Sequence, residues 1–109
     1  MTEGRGRIDW SAIPWRDAAP GLRVKEADAG SRRLRLLVFT SDYDRTAWCE
    51  KGHHGHVVAG RVTFMFDDGP VTLNEGDSLH IEDGPAHRHQ THVAEGEEAL
   101  LVLVEDAPR

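Results

Sequence analysis

The stretch Gly76-Asp77-Ser78-Leu79-His80-Ile81-Glu82-Asp83-Gly84-Pro85-Ala86-His87 decides how this chain is read. It opens on one corner, Asn74-Glu75-Gly76-Asp77, and closes on another, Glu82-Asp83-Gly84-Pro85. A glycine in each supplies the positive-φ position that a tight reversal needs. Between the corners there is room only for a short strand, with His80 at its middle.

The same grammar extends in both directions. Asp67-Asp68-Gly69-Pro70 and Glu95-Gly96 are further corners. Leu22-Arg23-Val24-Lys25 alternates, and Arg33-Leu34-Arg35-Leu36 alternates before running into Leu37-Val38-Phe39. Arg61-Val62-Thr63-Phe64-Met65-Phe66 places Val62, Phe64 and Phe66 on one face, since side chains on a strand repeat every two residues. Ala99-Leu100-Leu101-Val102-Leu103-Val104 is apolar on both faces, which predicts a central strand covered on both sides. Short strands punctuated at this spacing predict an all-β antiparallel sandwich or barrel. Residues 1–20, with Gly4, Gly6, Pro14 and Pro20, read as an irregular segment pinned by Trp10 and Trp15. Residues 21–109 then form one barrel domain. Either tryptophan is a candidate to close the mouth of a ligand cavity, although simple packing is the commoner use of a large aromatic.

Composition narrows the function classes. The net charge of −6 argues against nucleic acid, which wants clustered Lys and Arg. No apolar run approaches the roughly 20 residues of a membrane helix, and no signal-peptide pattern opens the chain. The single cysteine, Cys49, cannot close an internal disulfide, so a reducing, cytoplasmic setting is expected. A chain this short buries a modest core, and a homodimer is the natural way to bury more.

All seven histidines lie between residues 53 and 92, clustered as His53-His54-Gly55-His56 and as His87, His89 and His92. Neutral imidazole is the commonest protein metal ligand and titrates near neutral pH. His53 shares strand parity with Cys49, and His87 with His89, so each pair is expected to share a face. His54 and His56 then point outward, His80 packs or makes a local hydrogen bond, and His92 is expected to be solvated.

Residues 76–87 resemble the second motif of the cupin superfamily, G-x5-P-x-G-x2-H, with Glu82 in place of the usual proline. Gly60-Arg61-Val62-Thr63-Phe64 with the preceding His53-His54-Gly55-His56-Val57-Val58-Ala59 resembles the end of the first, H-x-H-x3-4-E-x6-G. The resemblance covers roughly residues 33–104. It implies a cupin-type antiparallel β-barrel, the jelly roll or double-stranded β-helix.

The first motif departs from the family pattern. Counting back from Gly60, His53 stands where the glutamate would be, Cys49 in the place of the second histidine and Ala47 in that of the first. The longer spacer offers only Trp48 and Thr46. The resemblance therefore implies Cys49, His53 and His87 as metal ligands, with His89 as a further ligand or as the acid–base group of the cavity. Thiolate with imidazole suits zinc, and also iron or another transition metal.

Fold alone does not set function. Three readings stand: a metal-dependent enzyme acting on a small organic molecule by oxygenase, isomerase or cyclase chemistry; a metal-free small-molecule binding or sensing barrel; and a dimeric scaffold without catalysis.

Overall fold

The structure, a computed structural model, describes residues 5–106. Eight strands follow one another: β1 (Arg16–Ala19), β2 (Leu22–Ala29), β3 (Arg32–Thr40), β4 (His53–Phe66), β5 (Gly69–Asn74), β6 (Ser78–Ile81), β7 (His89–His92) and β8 (Glu98–Asp106). All pair antiparallel, in the order β1-β2-β3-β8-β4-β5, with β6 and β7 also paired to β4.

The long strand β4 joins the two halves of the barrel. Its first part lies between β8 and β6, and its second part between β5 and β7. The changeover follows Gly60, the last residue paired with β8, just after the register of that pairing shifts between Val57 and Ala59. Gly60 has φ of 80°, and a Cβ there would lie 1.9 Å from the Glu98 carbonyl oxygen. Only glycine supplies both the left-handed backbone and the close approach.

The core is the inward parity of these strands. Leu37, Phe39, Val57, Val62, Phe64, Leu101 and Leu103 are all buried in one cluster. Phe66, from the same inward set of β4, packs at its margin. Each such side chain contributes about 1.5–3 kcal/mol on burial, which fixes the phase of every strand that carries one. In β3 the winning phase is that of Leu37 and Phe39, so Arg33 and Arg35 share the inner face while Leu34 and Leu36 lie half-buried outside.

Two expectations change here. In β8 only Ala99, Leu101 and Leu103 enter the core; Leu100 and Val102 are half-buried and Val104 is exposed. The strand is central within its sheet but is covered on one face, because among the described residues no second layer packs outside it. The segment read as irregular to residue 20 contains β1, bracketed rather than prevented by Pro14 and Pro20. Before it, Trp10–Ala12 form a 3₁₀ turn capped by the Asp9 carboxylate, which accepts from the Ser11 amide at 3.1 Å. Trp10 accepts the Lys25 ammonium on its carbonyl at 2.7 Å, and Trp15 lies beneath Lys25 and Arg23. Among the described residues no helix is long and apolar enough to cross a membrane.

Candidate metal centre

Cys49, His53 and His89 converge at one end of the barrel interior. Their ligand atoms all lie within 4.8 Å of one another. Cys49 Sγ stands 3.8 Å from His53 Nε2, and the rings of His53 and His89 have centroids 5.4 Å apart.

Each arrives by a different route. His53 is the first residue of β4 and His89 the first of β7. Cys49 precedes β4 and is not on its strand; it makes an isolated two-way bridge with His89, N–H to C=O in both directions at 2.9 Å. Shared strand parity, expected to align Cys49 with His53, is therefore not what brings them together. The segment carrying Cys49 is tied down along its length. Gln90 Nε2 donates to the Thr46 carbonyl and His92 Nε2 to the Arg45 carbonyl, each at 3.2 Å. Arg88 forks onto both Asp67 oxygens at 3.1 Å and stacks 4.0 Å over the Trp48 ring.

His89 is the most deeply placed of the three, 2% exposed, with the rings of Phe64 and Phe66 against it. Its Nδ1 lies 3.1 Å from the His87 carbonyl oxygen. A carbonyl only accepts, so Nδ1 carries a proton and Nε2 is the ring position left to ligate once it holds none. A ligating histidine is ordinarily oriented in this way.

The electrostatics agree with the geometry. Hydrogen bonds from His53 and then His89 lower the Cys49 thiol from 9.0 to about 5, against the opposing effect of burial. Thiolate is the form that binds metal. On His89 burial is the largest influence and lowers its pKa. The Cys49 hydrogen bond, the His87 carbonyl and the Cys49 charge together outweigh it and leave the pKa raised.

The donor set fits a transition metal. Tetrahedral zinc, with bonds of about 2.0–2.3 Å, places neighbouring ligand atoms roughly 3.3–3.6 Å apart. The Cys49–His53 separation of 3.8 Å is close to that, and small side-chain rotations close the rest. His53 Nδ1 is buried and has no hydrogen-bond partner among the described residues.

His87 does not join this cluster. Gly84, with φ of 119°, and Pro85 start a 3₁₀ turn over Pro85–His87, which leaves the His87 side chain exposed. Its strand begins two residues later, so His89 takes the inward place that the resemblance implied for His87. His54, His56 and His80 are exposed, His56 with Nδ1 3.2 Å from Ser78 Oγ. His92, expected in solvent, is half-buried and holds the Arg45 carbonyl.

The three donors line a cavity of about 240 Å³ whose other walls are mostly apolar, among them Leu37, Phe39, Leu101 and Leu103. Neither Trp10 nor Trp15 lines it; both pack on the outside of β2. Sequence reasoning missed Arg35, Lys51 and Tyr43, which do line it. The inward phase of Leu37 and Phe39 is the signal that places Arg35 inside, although Leu34 and Leu36 made the opposite phase equally plausible by pattern alone.

No profile of a known protein family matches the sequence, and no curated protein matches it significantly. Solved structures do. The polyketide cyclase RemF from Streptomyces resistomycificus is 16% identical with a TM-score of 0.73, over 95% of this chain and 82% of that one. A sugar phosphate isomerase of the cupin superfamily from Silicibacter pomeroyi is 16% identical with a TM-score of 0.73, over 94% of this chain and 76% of that one. KdgF from Halomonas sp. is 19% identical with a TM-score of 0.67, over 90% of each chain. The barrel has the cupin fold, as the second motif implied.

Proposed function

We propose that this protein is a small metalloenzyme that holds one transition-metal ion, zinc or alternatively iron, on Cys49, His53 and His89. It acts on a small organic molecule in the barrel cavity. The observation that carries the reading is the convergent donor set: the ligand atoms of Cys49, His53 and His89 lie within 4.8 Å of one another on the wall of a mostly apolar cavity, with His89 Nδ1 held by the His87 carbonyl and Nε2 left to ligate. When bound, such an ion supplies Lewis acidity toward a substrate oxygen.

The chain's own residues shape the rest. The apolar walls exclude water and select a ligand with apolar bulk. His89, with both ring nitrogens committed in this arrangement, serves as a ligand in place of the acid–base role expected from sequence. Tyr43 and Thr91 remain as hydroxyl groups lining the cavity. Burial first, then the Cys49 and Asp44 charges, raise the Tyr43 pKa, so its phenol holds its proton at neutral pH and can donate.

A second reading, a metal-free binding barrel, is favoured by one observation: Cys49 and His53 lie close enough to hydrogen-bond each other. Elemental analysis of untagged protein separates the two. The metalloenzyme reading expects close to one equivalent of zinc or iron. Metal-free protein whose melting ignores both chelator and added Zn2+ or Fe2+ would overturn it in favour of the second.

A further inference from the structure

We propose that the molecule bound in the cavity carries a carboxylate that pairs with Arg35. The inference deepens the proposed function and rests on its reading of the cavity as the binding site.

Arg35 is an unusual residue for its place. It stands on the inward face of β3 in line with Leu37 and Phe39, lines the cavity with them, and its side chain is 21% exposed. Its Nε is buried and donates to nothing among the described residues. A buried guanidinium N–H without an acceptor is costly, so such groups are ordinarily satisfied.

The neighbouring carboxylates lie closer to other cations than to Arg35, although Glu105 Oε2 makes no hydrogen bond among the described residues. Glu26 lies 2.5 Å from Arg16 and 3.4 Å from Arg33; Asp28 lies 3.0 Å from Arg33; Glu105 lies 3.2 Å from Lys51. Arg35 reaches Glu26 and Glu105 only at 3.8 and 3.9 Å. The network thus sets four cations, Arg16, Arg33, Arg35 and Lys51, against three carboxylates. Arg35 is the least closely paired of the four, and it lines the cavity.

A carboxylate fits this vacancy in charge and shape. The planar guanidinium fork matches a carboxylate, and the pairing is charge-assisted. A single guanidinium fork on a mostly apolar wall offers one point for an anion, which matches one carboxylate group. A cavity of about 240 Å³ lies below the range that takes a drug-sized ligand, so a small molecule is the expected occupant. The expected ligand is therefore a small monocarboxylate with an apolar body.

Isocaproate and isocaproamide match in size and differ only in the charged end. Each is titrated calorimetrically into the full-length protein, zinc-loaded and chelator-treated. The acid is expected to bind at least tenfold tighter than the amide in both forms. Arg35→Gln is expected to abolish the preference and Arg35→Lys to keep part of it. Equal binding of acid and amide, no binding of either, or an undiminished preference in Arg35→Gln would overturn the proposal. A preference present only with zinc would also overturn it, assigning the carboxylate to the metal and leaving the metal reading intact. A preference in protein that binds no metal at all would support Arg35 while removing the metal reading.

Discussion

Cys49 and His89 are held together by a two-way backbone bridge, and Cys49 Sγ lies 3.8 Å from His53 Nε2. The consequence is a thiol that ionises far below its ordinary value. In chelator-treated protein, alkylation of Cys49 by iodoacetamide should therefore follow a titration near pH 5. A midpoint near the ordinary 9.0 would contradict the geometry. The sign for stability follows from the same depression. Ionised Cys49 favours the folded state most fully above the ordinary thiol value, and this contribution is lost as pH falls through about 5. Urea melts of metal-free wild type and Cys49→Ser should accordingly differ less at pH 4.5 than at pH 8. At this scale the sequence was partly legible. Cys49 and His53 could be named from motif spacing, whereas choosing His89 over His87 needed the conformation of Gly84-Pro85, which sets where the strand starts. A motif count registers position along the chain; it does not register the 3₁₀ turn that displaces the side chain.

At the scale of elements, most strands were legible, β1 excepted, and phase was legible in β4 but not in β3. The corners at Gly69, Gly76, Gly84 and Gly96 all have positive φ, as their sequence contexts predicted. Strand β3 carries leucines in both parities, so pattern alone could not choose its inner face. The structure chooses Leu37, which predicts a clear difference in equilibrium urea unfolding. Leu37→Ala should cost about 2–5 kcal/mol, and Leu34→Ala on the outer face about 1 kcal/mol or less. Similar losses at the two positions would mean that the phase is wrong. Gly60 makes a second test of the barrel's construction. Its left-handed backbone and the nearby Glu98 carbonyl both oppose a side chain, so Gly60→Ala should destabilise by about 3 kcal/mol or more. A change under 0.5 kcal/mol would contradict the left-handed backbone and close carbonyl approach placed there.

At the scale of the whole molecule, the cupin barrel brings together groups from distant parts of the chain. Arg35 enters from β3, Cys49 from the segment before β4, His53 from β4 and His89 from β7. No local pattern contains that set: Cys49, His53 and His89 could be nominated from the sequence, whereas Arg35 could not. An ion bound at such a crossing links several elements, so metal binding should stabilise the whole domain by mass action. At free zinc about a hundredfold above its Kd the gain is about 2.7 kcal/mol, or roughly 10–20 °C in Tm for a domain of this size. Chelation should reverse it, and differential scanning calorimetry will read both. The most direct test of the central claim compares metal stoichiometry in untagged His89→Ala and His87→Ala proteins, each checked for folding by circular dichroism. The geometry predicts that His89→Ala loses the metal while His87→Ala retains close to one equivalent; loss in His87→Ala with retention in His89→Ala would contradict it.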